Sequence, residues 1–172
     1  MHSYDGLRDS LTNLACPSLL YEELRRELSR SQRSLTSLTG IRIMLDSAGE
    51  QIGEQTNTGE AISSQPDLVG GFQTDRVILH LCQAMTDATR GEDICARMGE
   101  REFLIILSGA AVEAESVISR ITTGWQKSRR RDVRSNQNSQ FVLSYATTVS
   151  EINETSLDFL NRLDLQLLKV AL

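Results

Sequence analysis

Leu20, Leu24 and Leu28 recur every four residues behind Pro17, while Glu22 and Arg26 are spaced to pair on the outer face. That pattern predicts an amphipathic helix over residues 17–33, with proline at the first helical position, where an N–H is not needed. Val77, Ile78, Leu81 and Met85 form a second stripe over 74–89, and Val117, Ile118, Ile121 and Trp125 mark a third helix. A Leu-rich run from Ser156 to Ala171 predicts a closing helix. Apolar runs between these stripes predict strands at 38–46, 94–98, 103–107 and 140–149. The second and third flank a short turn and read as a β-hairpin. Phe103 to Leu107 is continuously apolar, as expected of a strand covered on both faces. Helices interleaved with strands and one hairpin imply an α/β sandwich on a mixed sheet.

Two stretches break the pattern. Residues 47–73 hold five of the eleven glycines, Pro66 and many small polar side chains. So long a connection without periodicity predicts a flexible insertion that opens easily and is the first to be nicked by a protease. Lys127 to Arg134 carries five basic residues around Asp132. It reads as a solvated loop leaving a helix C-terminus, where cations favour the helix dipole. A phosphate-binding patch is the alternative, but no aromatic side chain lies within the run.

Composition narrows the class. The chain has 172 residues, 40% hydrophobic and 24% charged, with a net charge of −5. It reads as a single domain over 1–172, with its core from about residue 9. The acidic balance argues against a nucleic-acid partner. No apolar stretch approaches the roughly 18 residues of a membrane span. The N-terminus lacks a signal peptide, so a cytoplasmic location is expected. Cys16, Cys82 and Cys95 fall in no metal-binding pattern and suit reduced thiols. Cys95 reads as buried filler, His80 as a helix residue, and Cys16 as structural.

Four short strings, in order, carry a resemblance. Asp9-Ser10-Leu11-Thr12-Asn13-Leu14 is similar to an opening D-x-L-T-G-L, and Leu45-Asp46 ends the first strand. Arg90-Gly91-Glu92-Asp93, then Ala96-Arg97-Met98-Gly99-Glu100-Arg101-Glu102-Phe103, is similar to R-x-x-D followed by A-R-Y-G-G-D-E-F. Val142-Leu143-Ser144-Tyr145-Ala146 is similar to a late strand V-S-I-G. Each string is imperfect, but the ordered set resembles a degenerate GGDEF domain of the diguanylate cyclase family of bacterial signalling. The resemblance implies a nucleotidyl-cyclase-like sandwich, with a central, mixed, mostly antiparallel five-stranded sheet surrounded by helices.

Active members of that family face each other in pairs, each holding one GTP, and form cyclic di-GMP. The chemistry needs divalent metal held by carboxylates, and a tight glycine turn against the nucleotide. The resemblance places a vestigial metal ligand at Asp46, but Arg101 stands where the signature carries its second metal carboxylate. Glu100 replaces the second turn glycine, while Gly99, Glu102 and Phe103 match, Phe103 as core. On the guanine side, Asp75 falls on the family's Asp at the start of a helix, whereas the partner Asn falls on Pro66. The family's lysines fall on Gln51, or the insertion, and on Ala171. Arg90 and Asp93 match an inhibitory-type product site, with Arg120 as a possible second arginine. A helix-end Arg paired with a turn Asp is the plain structural alternative for that pair.

The resemblance therefore implies a catalytically inactive signalling domain that needs no cofactor. Its partner is cyclic di-GMP, another protein, or a second copy in a homodimer. The alternative is an active, Mg²⁺-dependent diguanylate cyclase that tolerates the altered signature. A structural dimerisation domain without a ligand is a third reading.

Overall fold

The computed structural model describes residues 6–47, 68–131 and 141–170, with backbone alone at 47, 68–73 and 168–170. The apolar stripes and runs become α1 (Pro17–Ser34), β1 (Leu38–Ser47), α2 (Leu68–Ala88), β2 (Ile94–Arg97), β3 (Glu102–Ser108), α3 (Ala111–Arg131), β4 (Phe141–Val149) and α4 (Ser156–Val170). The strand order is β2-β3-β1-β4, and every neighbouring pair is antiparallel. Two β-α-β units interleave, β1-α2-β2 and β3-α3-β4. The strands of each unit are separated by a strand of the other, so no parallel ladder forms, as in split β-α-β folds.

Alternation along the strands assigns the two faces. Ile41, Ile43 and Leu45 of β1, with Phe103, Ile105 and Leu107 of β3, pack under α2 and α3 through Ile78, Leu81, Met85, Ile121 and Trp125. The opposite face receives Leu20, Leu24 and Leu28 of α1, and Phe159, Leu163 and Leu167 of α4. Phe103 to Leu107 are all buried, as continuous apolarity predicts for a strand covered on both sides. Gly40 leaves room for the Phe159 ring, which would lie 2.9 Å from an added Cβ.

The structure corrects four expectations. The sheet has four strands among the described residues, not five, and each corresponds to one of the four apolar runs. Its only parallel element there is an isolated bridge, in which Ala15 of the opening loop lies against Ala96 of β2. Helix α2 starts at Leu68, so residues 68–73 belong to a helix rather than to the insertion. Gly70 and Gly71 weaken a helix by about 1 kcal/mol each, a cost that tertiary context overrides here. Residues 127–131 are the last turns of α3 rather than a loop, and Arg129 lies over the Trp125 ring, 4.5 Å from its centroid. The expected insertion at 48–67 and residues 132–134 lie outside the described residues. No helix among the described residues is long and apolar enough to cross a membrane.

Candidate functional site

The β2–β3 turn is closed by the Met98 N–H donating to Glu102 O at 2.8 Å. Arg97, the last residue of β2, folds its guanidinium back over this turn. Its Nε donates to Gly99 O at 3.1 Å and its Nη2 to Glu100 O at 2.9 Å. Its Nη1 lies 3.0 Å from the carboxylate of Asp9. That carboxylate also accepts the Thr12 N–H at 2.8 Å and the Thr12 hydroxyl at 2.7 Å. The opening loop and the turn are thus one hydrogen-bonded unit. Sequence reasoning assigned no role to Asp9 or Arg97. The available signal was the Asp-x-x-Thr spacing, which marks a turn closed by its own side chain.

Burial by itself raises the Asp9 pKa, but hydrogen bonds from Thr12 and Arg97 outweigh it and hold the carboxyl below its ordinary 3.8. A lowered folded pKa contributes stability above the unfolded value and loses it as pH falls through the folded value. Wild type is therefore expected to exceed Asp9→Asn in stability at neutral pH, with the gap closing below about pH 4. Urea unfolding of both proteins across this range measures it, and a gap independent of pH contradicts the assignment.

The remaining signature letters divide between the two faces of the sheet. Glu102 pairs with Arg42 of β1 at 2.8 Å, and Arg42 also pairs with Asp164 of α4. Phe103 is fully buried. The Arg101 guanidinium lies 5.6 Å from the Phe141 ring centroid, on the side packed by α2 and α3. The Leu45 N–H donates to Arg101 O at 2.9 Å, which sets Asp46 beside the turn at the same end of the sheet. The Asp46 carboxylate is exposed and accepts the Ser144 hydroxyl at 2.5 Å. Among the described residues, no group of three or more His, Cys, Asp or Glu side chains is arranged to hold a metal ion.

A second locus lies at the other end of β2, separated by a strand of roughly 13 Å. Arg90 and Asp93 form the turn from α2 into β2. The Asp93 carboxylate accepts the Arg90 N–H at 2.8 Å, and the Asp93 N–H donates to Arg90 O at 3.1 Å. The Arg90 side chain is 64% exposed, and one of its nitrogens lies 4.0 Å from Glu113. The turn borders an open cleft of about 700 Å³ against the opening loop, lined by Arg8, Thr12, Glu23, Thr89, Arg90 and Asp93 among others. Arg120 is an exposed residue of α3, and its guanidinium donates to Ala88 O at 2.6 Å, capping the C-terminus of α2.

The family description "Diguanylate cyclase, GGDEF domain" matches residues 64–170. This chain belongs to the GGDEF family. The GGDEF domain of DgcB from Caulobacter crescentus, in complex with c-di-GMP, superposes with a TM-score of 0.72 at 19% identity, covering 98% of this chain and 89% of that one. The FimX GGDEF domain from Pseudomonas aeruginosa gives 0.68 at 18% identity, covering 96% and 93% of the two chains. Diguanylate cyclase SiaD from Pseudomonas aeruginosa, in complex with its activator SiaC, gives 0.68 at 26% identity over 95% of this chain. This chain spans only 57% of SiaD. No curated protein sequence matches it.

Within this GGDEF domain, the structure brings Arg90 and Asp93 together and sets Asp46 beside the signature turn. It does not place Asp75 at a helix start, because α2 begins seven residues earlier and leaves Asp75 about two turns inside. Pro66, Gln51 and Ala171 lie outside the described residues. Cys95 packs partly buried against the core, where burial pushes its thiol pKa up. Cys82, more deeply placed, is pushed to about 12.

Proposed function

We propose that this GGDEF domain is a receptor for cyclic di-GMP and does not make it. The observation that carries the reading is the Arg90 turn at the cleft. Asp93 fixes the turn through the Arg90 backbone, while the exposed guanidinium remains a planar fork suited to a guanine edge or a phosphate. The cleft is of ordinary size for a small-molecule site. The complex of the DgcB GGDEF domain with c-di-GMP supports the ligand class.

The signature end supports catalytic silence. A Mg²⁺ site needs converging carboxylate oxygens. Here the third signature position carries a guanidinium, Glu102 is paired with Arg42, and Asp46 is bonded to Ser144. This donor set does not fit the metal that the family's chemistry requires.

Calorimetry without metal tests the reading. Wild type is expected to bind cyclic di-GMP, and GTP much more weakly. Arg90→Ala removes a charge-assisted contact of about 1.5–3 kcal/mol, so affinity falls at least about tenfold. Arg90→Lys does not restore it, because a point charge cannot reproduce the fork. If wild type shows neither heat nor thermal shift with excess ligand, the receptor reading fails. A protein-interaction module then takes its place, a reading supported by the complex of SiaD with its activator.

A further inference from the structure

Among the described residues strand β4 ends the sheet, and its register fixes which of its backbone groups point outward. The Ser150 N–H donates to Leu38 O at 2.8 Å, at the position continuing the β1–β4 pairing. The even-numbered residues of β4 therefore turn their N–H and C=O groups toward β1, and the odd-numbered ones turn theirs away from the sheet. Both ends of this outer edge are closed by arginine. Arg129 donates to Phe141 O at 3.1 Å, and Arg162 donates to Val149 O at 2.6 Å. Between these caps lie Leu143, Tyr145 and Thr147, whose outward N–H and C=O groups have no partner among the described residues.

We propose that this window is a self-association edge, occupied by the same strand of a second copy of the chain in antiparallel register about a two-fold axis at Tyr145. The window is symmetric about that residue. The axis sets Tyr145 against its own counterpart, and Leu143 and Thr147 against each other's counterparts. All three pairs are then of the hydrogen-bonded type, giving about six inter-strand bonds. Phe141–Val149 contains no charged residue, proline or glycine, so it lacks the usual devices that keep an edge strand from pairing. Two uncharged strands meet without like-charge repulsion. Tyr145 and Thr147 carry exposed side chains, and Tyr145 is 47% accessible, so they add contact area at the centre of the pairing. The arginine caps favour this occupant over a longer partner strand, because they close the edge beyond one short symmetric window. The inference stands apart from the ligand reading, since the edge is separate from the Arg90 cleft.

Sedimentation velocity on the whole chain tests it, together with charge-swap variants at an exposed position that leave the fold intact. Wild type is expected to self-associate with rising concentration. Tyr145→Lys and Tyr145→Glu each set like charges directly opposite one another and weaken association at least about tenfold. An equimolar mixture of the two recovers a dimer, because opposite charges then face each other. In parallel, hydrogen exchange at the amides of Leu143, Tyr145 and Thr147 is expected to slow as wild-type concentration rises. The proposal is overturned by a wild type that stays monomeric, by a Lys variant that associates like wild type, or by a mixture that stays monomeric. Protection independent of concentration also overturns it, since the chain would then cover its own edge.

Discussion

Incubated with GTP and Mg²⁺ or Mn²⁺, the protein is expected to release no cyclic di-GMP. The reason is electrostatic and lies at one end of the sheet. The Leu45–Arg101 backbone bond brings Asp46 and Arg101 to the same end of the sheet, where the Asp46 carboxylate turns to Ser144 and the Arg101 guanidinium to the Phe141 ring on the other face. In the family's arrangement a divalent cation would be held there by two carboxylates. With an effective dielectric near 20, unit charges about 4 Å apart interact by roughly 4 kcal/mol, and a divalent ion doubles this. With a cation at position 101 that attraction is lost, and Asp46 is left without a second carboxylate. Glu100 adds a negative charge where a triphosphate would approach. Restoring Arg101→Asp alone is not expected to rescue turnover. By resemblance, the guanine and phosphate contacts at Pro66 and Ala171 are also lost. Chromatography of the reaction mixture decides the matter. Metal-dependent cyclic di-GMP that disappears in Asp46→Ala would show that the protein is a working cyclase.

Phe103→Ala is expected to destabilise the fold by about 3–5 kcal/mol, the usual range for emptying a buried aromatic site. Phe103 is fully inaccessible and central in the cluster beneath α2 and α3. Arg101→Ala, two residues away, empties no buried site, and its contact over the Phe141 ring is worth about 0.5–1 kcal/mol, so a smaller loss is expected. Urea unfolding of both variants separates the two roles. The last signature letter is a core residue, while the third is partly exposed at the signature turn. A Phe103→Ala loss below about 1 kcal/mol would contradict the packing described.

The order of helices and strands, the hairpin and the buried faces were legible in the sequence because they rest on local periodicity. Leu20, Leu24 and Leu28 lie on one face of α1 whatever the rest of the chain does, and five consecutive apolar residues belong to a strand covered on both sides. The residue types at 46, 90, 93 and 101 were legible as well, and the ordered motifs carried the family. Only the tertiary structure decided what joins across long separations. Asp9 and Arg97 are 88 residues apart, and no local pattern marks their pairing over the signature turn. The cap that Arg120 places on α2, the commitment of Glu102 to Arg42, and the cleft beside Arg90 likewise arise from packing between distant elements. Helix α2 extends through Gly70 and Gly71 because propensity is a weak, local preference that tertiary context overrides. Periodicity tells which side of an element is buried, but not which element lies against it. The outer edge of β4 depends on that neighbourhood alone.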